Sequence, residues 1–377
     1  MTNESLVLPI TNTKWTKARP LSLLRKKGGM ALRKKWGFFI LFVLLMFVFS
    51  GCSKDSSGES DLVSIAIADA SFILSDADDG VSVEDTTGLL AVELEVKNNS
   101  KSSIDVSPFD GIKLYDGDEQ LSAETDLFNS ELGLSSLETG EIGPEKLKKV
   151  TAIFYVDTEK QYEIGVKPFV LDPDTKPKEV TIPLNPADYA ESFEQLNVPS
   201  LALSAYIDTI YLEKENVDYE KYVSVDKNAH QSEAKNLFAD AIETAFSNGV
   251  PDEEIDKAYS TYKSLLAEKA EFHSLTTDHA NGKAIVSLEY TTIPLGDLYQ
   301  EVSDHTREYL DNTDDYDRKK AEEYAISKLD QILNSIDAKQ AREKLDIVMV
   351  EKDGKWSVDT SDWNSERLVK AFAAGSL

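Results

Sequence analysis

The spacing of apolar positions changes twice along this chain, and each change announces a different kind of element. Trp36 to Phe49 is almost continuously apolar, with Arg33, Lys34 and Lys35 before it and Ser50-Gly51-Cys52 after it. Between residues 62 and 184 the period is two. Leu90, Val92, Leu94 and Val96 fall on one face, and 63–68, 112–115, 150–156, 162–166 and 180–184 alternate in the same way. Asn98-Asn99-Ser100-Lys101, Asp116-Gly117 and the stretch from Gly140 to Pro144 break these runs. Some seven short strands separated by turns predict an all-β sandwich.

From Ser200 the period becomes helical. Leu203, Tyr206, Ile207, Ile210 and Tyr211 form one stripe, and Leu237, Phe238, Ala241, Ile242, Ala245 and Phe246 a second. Asn248-Gly249 ends that helix, and Pro251-Asp-Glu-Glu starts another with acids where the dipole favours them. Residues 283–290 return to period two. Residues 298–333 read as helix interrupted near Asn312-Thr-Asp-Asp315, and 345–358 as a hairpin turning at Asp353-Gly354. A closing helix spans 363–374. Helices followed by antiparallel strands predict an α+β domain packed on a curved sheet.

The resulting division is 52–61 as a flexible tether, 62–184 as the sandwich, 185–199 as a linker with a proline near either end, and 200–377 as the α+β domain. The apolar run of 36–49 is too short to span a hydrocarbon core, which takes about 20 residues, and suits the core of a secretory signal over 30–51. Residues 1–29 carry six Lys/Arg without a hydrophobic period. They read as a mis-assigned start ahead of Met30, or as a long basic leader.

Charge narrows the partners. The first 51 residues hold nine Lys/Arg and one Glu, so the 326 residues from Cys52 onward have a formal charge of −36. Such a chain lacks the Lys/Arg clusters that phosphate groups require, which argues against nucleic acid or anionic lipid as a partner. Cys52 is the lone cysteine, so the body is stabilised by packing and has no thiol nucleophile.

Chemistry is sparse. The four histidines are His230, His273, His279 and His305, and the six-residue spacing of His273 and His279 is poor for a shared metal. Asp76-Ala-Asp-Asp-Gly80 fits no register of an EF-hand loop. Neighbouring acids such as Glu253/Glu254 and Asp314/Asp315 diverge on a helix and read as solvated faces. No metal, cofactor or catalytic residue is predicted. Tyr206, Ile210, Tyr290 and Trp356 lie on matching apolar faces, and are either core or the wall of a cleft between the first helix and the sheet.

Three stretches carry resemblances. Phe49-Ser50-Gly51-Cys52 after its apolar run resembles the lipobox of bacterial lipoproteins, although Phe49 stands where Leu is usual. The resemblance implies a lipid on Cys52, cleavage before it, and anchoring on the outer face of the cytoplasmic membrane. The bare reading of the run, an uncleaved short anchor, also puts the body outside the cell. Residues 92–100, 106–110, 112–116 and 153–156 resemble the immunoglobulin-like domain of Gram-positive lipoproteins. Residues 205–211, 218–223, 281–286 and 352–359 resemble a conserved domain of unknown function in Firmicute lipoproteins, and the last hairpin is similar to the end of nuclear-transport-factor-2-like lipoprotein domains. The absence of any recognisable catalytic motif favours a non-catalytic surface lipoprotein that binds an envelope protein or a small ligand. The alternative is an envelope enzyme or enzyme accessory whose carboxylates converge only in the fold.

Overall fold

Alternation decides the N-terminal lobe. The computed structural model describes residues 56–76, 85–136, 140–171, 175–313 and 315–377. Its strands are β1 (Ser57–Glu59), β2 (Val63–Ile73), β3 (Thr87–Asn98), β4 (Ile104–Val106), β5 (Ile112–Asp116), β6 (Glu119–Ser122), β7 (Phe128–Asn129), β8 (Leu134–Ser135), β9 (Gly140–Ile142), β10 (Leu147–Asp157), β11 (Tyr162–Val166) and β12 (Val180–Leu184). Two four-stranded antiparallel sheets, ordered β1-β2-β3-β10 and β12-β11-β5-β6, share one core. The register sets Leu90 opposite Phe154, Val92 opposite Ala152 and Leu94 opposite Val150, and all six are buried. A slip of one residue would turn every one of them outward. Asn98 is buried at the end of β3, and its Nδ2 donates to the carbonyls of Ser102, Ile142 and Gly143.

The C-terminal lobe begins with a 3-10 turn (Pro186–Tyr189) and α1 (Ala190–Glu194), then α2 (Val198–Ile210), α3 (Asp218–Tyr222), α4 (Lys227–Thr244) and α5 (Asp252–Lys269). The hairpin β13 (Phe272–Ala280) and β14 (Lys283–Thr292) follows, then α6 (Leu298–Thr313), α7 (Arg318–Ser327) and α8 (Leu329–Ser335). β15 (Lys339–Gln340), β16 (Leu345–Lys352), β17 (Lys355–Val358) and α9 (Trp363–Ala373) close the fold. The main sheet is antiparallel in the order β13-β14-β16-β17, with a bulge in β13 between Thr276 and Asp278. Asn281-Gly282 and Asp353-Gly354 take positive φ at both central positions of their turns, the geometry that matches strand twist. Helix α2 buries nine of its 13 residues, so it is a central helix rather than an amphipathic surface one. Gly375 ends α9 at φ +58°, where an added Cβ would lie 2.0 Å from the Ile293 carbonyl oxygen.

The two lobes are joined by packing as well as by the chain, and residues 55–377 form one compact unit. Ile73, Leu132, Leu134 and Ile153 of the sandwich bury themselves with Ala280 of β13. Leu74 and His279 exchange backbone hydrogen bonds of 2.9 and 3.1 Å. Asn281 Nδ2 donates to the carbonyls of Leu132 and Gly133 at 3.0 and 3.2 Å.

Two expected boundaries are corrected. The tether of 52–61 is shorter than its composition suggests, because β1 pairs with β2 through Ser57–Ala66, Gly58–Ile65 and Glu59–Ser64. The linker of 185–199 is packed helix. Phe193 meets Phe72 edge-on at 4.9 Å, Ser192 Oγ accepts from the Phe72 backbone N–H, and Leu196 is buried. Pro186 and Pro199 mark the first turns of helices there, not the limits of a loose segment.

Candidate functional site: a polar cavity beside the central helix

Beyond Ile210 the chain reverses through 211–217 into α3 and then enters α4. Asn216 fixes this reversal: its Nδ2 donates to Asp208 at 2.9 Å and its Oδ1 accepts from the Asp218 backbone N–H at 3.0 Å. Asp226 caps α4 by accepting from Ala229 N–H. The result is a cavity of about 640 Å³ between α2, α3 and α4. Thr209 and Tyr219 line it, both are buried, and neither the Thr209 Oγ1 nor the Tyr219 hydroxyl has a hydrogen-bond partner. Gln231 Nε2 donates to the Thr209 carbonyl at 3.1 Å. Charges of both signs surround them: Glu213, Glu215 and Glu220, with Lys214 and Lys227. Lys227 Nζ lies 6.0 Å from the centre of the Tyr219 ring. Burial raises the Tyr219 pKa, and the charges of Glu220 and Asp226 add to the shift.

A second polar group lies close by on α2 and α4. The Tyr206 and Tyr211 hydroxyls are 3.2 Å apart, and Tyr206 Oη is 2.9 Å from His230 Nδ1. Burial pushes Tyr206 up to about 12 and Tyr211 well above the usual phenol range. Both hydroxyls therefore keep their protons at any physiological pH and act as hydrogen-bonding groups.

The cleft expected between the first helix and the sheet is filled. Tyr206, Ile210, Tyr290 and Trp356 are all buried in one core. Tyr206 touches Tyr211, Tyr211 stacks on Phe372 at 5.6 Å, and Phe372 meets Tyr290, so two of the four are joined through two further aromatic rings. Trp356 packs elsewhere, edge-on to His279 at 5.1 Å. Ile210 alone lines a cavity, a small one beside α4 and α5. The closure has a simple cause: large aromatics on α2 and α9 fill the space the sheet leaves. Thr209 and Tyr219 escaped the sequence reading because a threonine on an apolar helix reads as core. Tyr219 figured only as part of the resemblance over 218–223.

Two further cavities bear on function. One of about 770 Å³ is bounded by α4, residues 294–297 and 374–377. The other, of about 470 Å³, brings Asp76, Glu131, Asp278, Asp346 and Asp362 together at the joint between the lobes. Asp278 accepts from the Asp76 backbone N–H and from Asn129, and Asp362 caps α9. These two carboxylates thus serve the fold. Among the described residues no group of three or more His, Cys, Asp or Glu is arranged to hold a metal ion. Cys52, the signal of 30–51, residues 1–29, and most of the Asp76–Gly80 loop lie outside the described residues, as does Asp314. No described helix is long and apolar enough to cross a membrane.

Comparison with known proteins shows what this chain is similar to. Residues 189–373 match the model of a domain of unknown function, DUF5105. An uncharacterized lipoprotein of Bacillus subtilis, YcdA, is 26% identical over 359 residues, which is 91% of this chain and 99% of the relative. The crystal structure of YcdA superposes with a TM-score of 0.60 at 24% identity, covering 85% of this chain and 99% of that one, and so shares the fold. The matched segment starts inside the helical stretch that joins the lobes and takes in α2, α3, α4 and the whole cavity between them. The chain is a homologue of an uncharacterized Firmicute lipoprotein, and residues 189–373 are similar to the DUF5105 family.

Proposed function

We propose that the protein is a lipid-anchored, non-catalytic binding module on the outer face of the cytoplasmic membrane, held by an acylated Cys52, with the cavity between α2, α3 and α4 as its ligand site. The observation that carries the binding role is the open cavity of about 640 Å³, whose wall includes Thr209 and Tyr219 with hydroxyls buried just behind it and without protein partners. A buried polar atom left unpaired costs on the order of 1–3 kcal/mol, and a ligand's donors and acceptors remove that cost. Neutral hydroxyls flanked by both carboxylates and ammonium groups suit a small polar or zwitterionic envelope molecule. Neither nucleic acid nor a strongly charged polymer fits the mixed rim. The tyrosines near the site are held protonated, which supports binding over proton transfer.

Anchoring at Cys52 is supported by the lipobox-like Phe49–Cys52 and by the lipoprotein relative. The paired sheets with one core support an immunoglobulin-like sandwich, and the β13 bulge supports a curved, cone-like sheet in the C-terminal lobe. Cys52→Ser leaves an uncleaved precursor or releases the protein to the medium. Processing and membrane retention equal to wild type argue against the lipid anchor.

The binding role is tested by a thermal-shift screen against amino acids, short peptides, muropeptides and small sugars, run on the wild type and on Thr209→Val/Tyr219→Phe. The double variant keeps the shape, removes both unpaired hydroxyls and holds or gains stability. Compounds that raise the Tm of the wild type but not of the variant support the site. A variant that loses stability with no ligand present shows that the hydroxyls serve the fold instead.

A further inference from the structure

The cavity between α2, α3 and α4 does not stop at α4. Gln231 lines it and also lines the smaller cavity of about 400 Å³ between α4 and α5. Neighbouring residues at the end of α2 divide in the same way, Thr209 lining the first cavity and Ile210 the second. Lys263 of the second cavity forms an ion pair with Glu213 of the first, which ties the two walls together. Gln231 Nε2 donates to the Thr209 carbonyl at 3.1 Å, so its amide is held at the divide.

Helix α4 gives this track its length. Lys227, Gln231 and Lys235 recur every fourth residue and so share one face of the helix. Lys227 lines the first cavity, Gln231 both, and Lys235 the second. From Lys227 to Lys235 the helix rises about 12 Å. An extended peptide advances about 3.3 Å per residue, so the track matches three to four residues. Asp256, Tyr259, Ser260 and Lys263 share one face of α5 and form the opposite bank of the second cavity. A single amino acid fills only one end of this space.

The walls select among extended molecules. Both tyrosine faces here already carry an ammonium group: Lys227 Nζ lies 6.0 Å from the centre of the Tyr219 ring, and Lys263 Nζ 4.9 Å from that of Tyr259. They are poor platforms for stacking a sugar ring. At the α3 end, Lys214 and Lys227 form no ion pair among the described residues and can receive a carboxylate. Glu215 and Glu220 stand beside them and oppose a polyanion. At the far end Lys235 and Asp256 pair at 2.6 Å. Between the charged ends lies the Gln231 amide, which has the donor and acceptor chemistry of a peptide group. A carboxylate at one end, amides along the middle and an ammonium at the other end match this order of groups.

We propose that the two cavities are one groove and that it takes a short peptide of three to four residues, laid along α4 with its carboxylate toward Lys214 and Lys227. This rests on the binding site proposed above and adds the length and class of its ligand.

The test measures binding of alanine, dialanine, trialanine and pentaalanine to the full-length protein by isothermal titration calorimetry. Trialanine binds at least about 10-fold more tightly than alanine, and pentaalanine gains less than about twofold beyond it. Trialanine amide, which has no carboxylate, binds at least about fivefold more weakly than trialanine. Ser260 is exposed on α5 and Ser232 on α4, so Ser260→Trp and Ser232→Trp each block the second cavity from a different bank without entering the core. Either block cuts the advantage of trialanine over alanine to less than about twofold. Equal affinity at every length, affinity that keeps rising to pentaalanine, or an advantage that survives both blocks overturns the groove and leaves the first cavity as a site for smaller molecules. An amide as tight as the acid overturns the placement of the carboxylate. Failure of every alanine compound to bind overturns the peptide class, and the screen on Thr209→Val/Tyr219→Phe then decides the first cavity on its own.

Discussion

The two lobes treat buried polarity in opposite ways. In the sandwich, the one wholly buried asparagine, Asn98, donates to three carbonyls and accepts from Ser100. In the other lobe Thr209, Tyr219 and Ser365 bury hydroxyls that meet nothing. A core that satisfies its polar groups is finished, and serves as scaffold. A core that leaves them open near a cavity has retained a cost that only a further molecule relieves. On the function proposed above, this is the contrast expected between a supporting lobe and a recognising one.

The largest effects test whether the lobes are energetically separate. Phe154 fills the sandwich core and Phe238 the α+β core, both fully buried. Truncating either to Ala costs about 3–5 kcal/mol. With separable lobes, Phe154→Ala lowers only the β-rich transition in calorimetry and Phe238→Ala only the helical one. A single transition shifted equally by both means that the small core of Ile73, Leu132, Leu134, Ile153 and Ala280 has fused them.

Acid probes the joint itself. Burial lowers the pKa of His279 from its ordinary value to about 4, with the Leu196 carbonyl offsetting part of the shift. The unfolded chain takes up the proton near pH 6.5 and the folded one does not. The stabilisation is therefore complete above pH 6.5 and falls away as pH drops toward 4, by roughly 3 kcal/mol in all. Urea titrations at pH 7.5 and 4.5 should show this loss in the wild type and a smaller one in His279→Gln. Identical slopes in the two proteins would mean that the ring is solvated in the folded state.

A smaller effect comes from Asn281, which holds φ +54° and bonds across the joint to Leu132 and Gly133. Asn281→Gly keeps the turn and loses the bonds, costing about 1 kcal/mol, while Asn281→Ala also strains the backbone and costs about 2 kcal/mol. A glycine variant as stable as wild type would show the bridge to be ornamental to stability.

What could be read in advance follows from the kind of signal each element carries. Leu90–Val96 announces itself because every second residue is apolar, and the Asp353-Gly354 turn because only such residues relax there. β13 was missed because Ser274, Thr276 and Asp278 make its buried face polar and the bulge breaks its period. The packing of 185–199 was missed because Phe193 and Leu196 are too few to set a period. The cavity was invisible for a different reason. Its defining property is the absence of partners for Thr209 and Tyr219, and an absence has no spacing.

With the lipid on Cys52 proposed above, β1 also sets how far the fold stands from its anchor. Its three paired residues take up slack that the chain would otherwise have. With β1 paired, four residues lie between Cys52 and the fold; with it peeled away, nine lie between Cys52 and Leu62, and the leash lengthens from about 17 to about 35 Å. On that anchor, three residue pairs hold the difference between a short leash and one about twice as long.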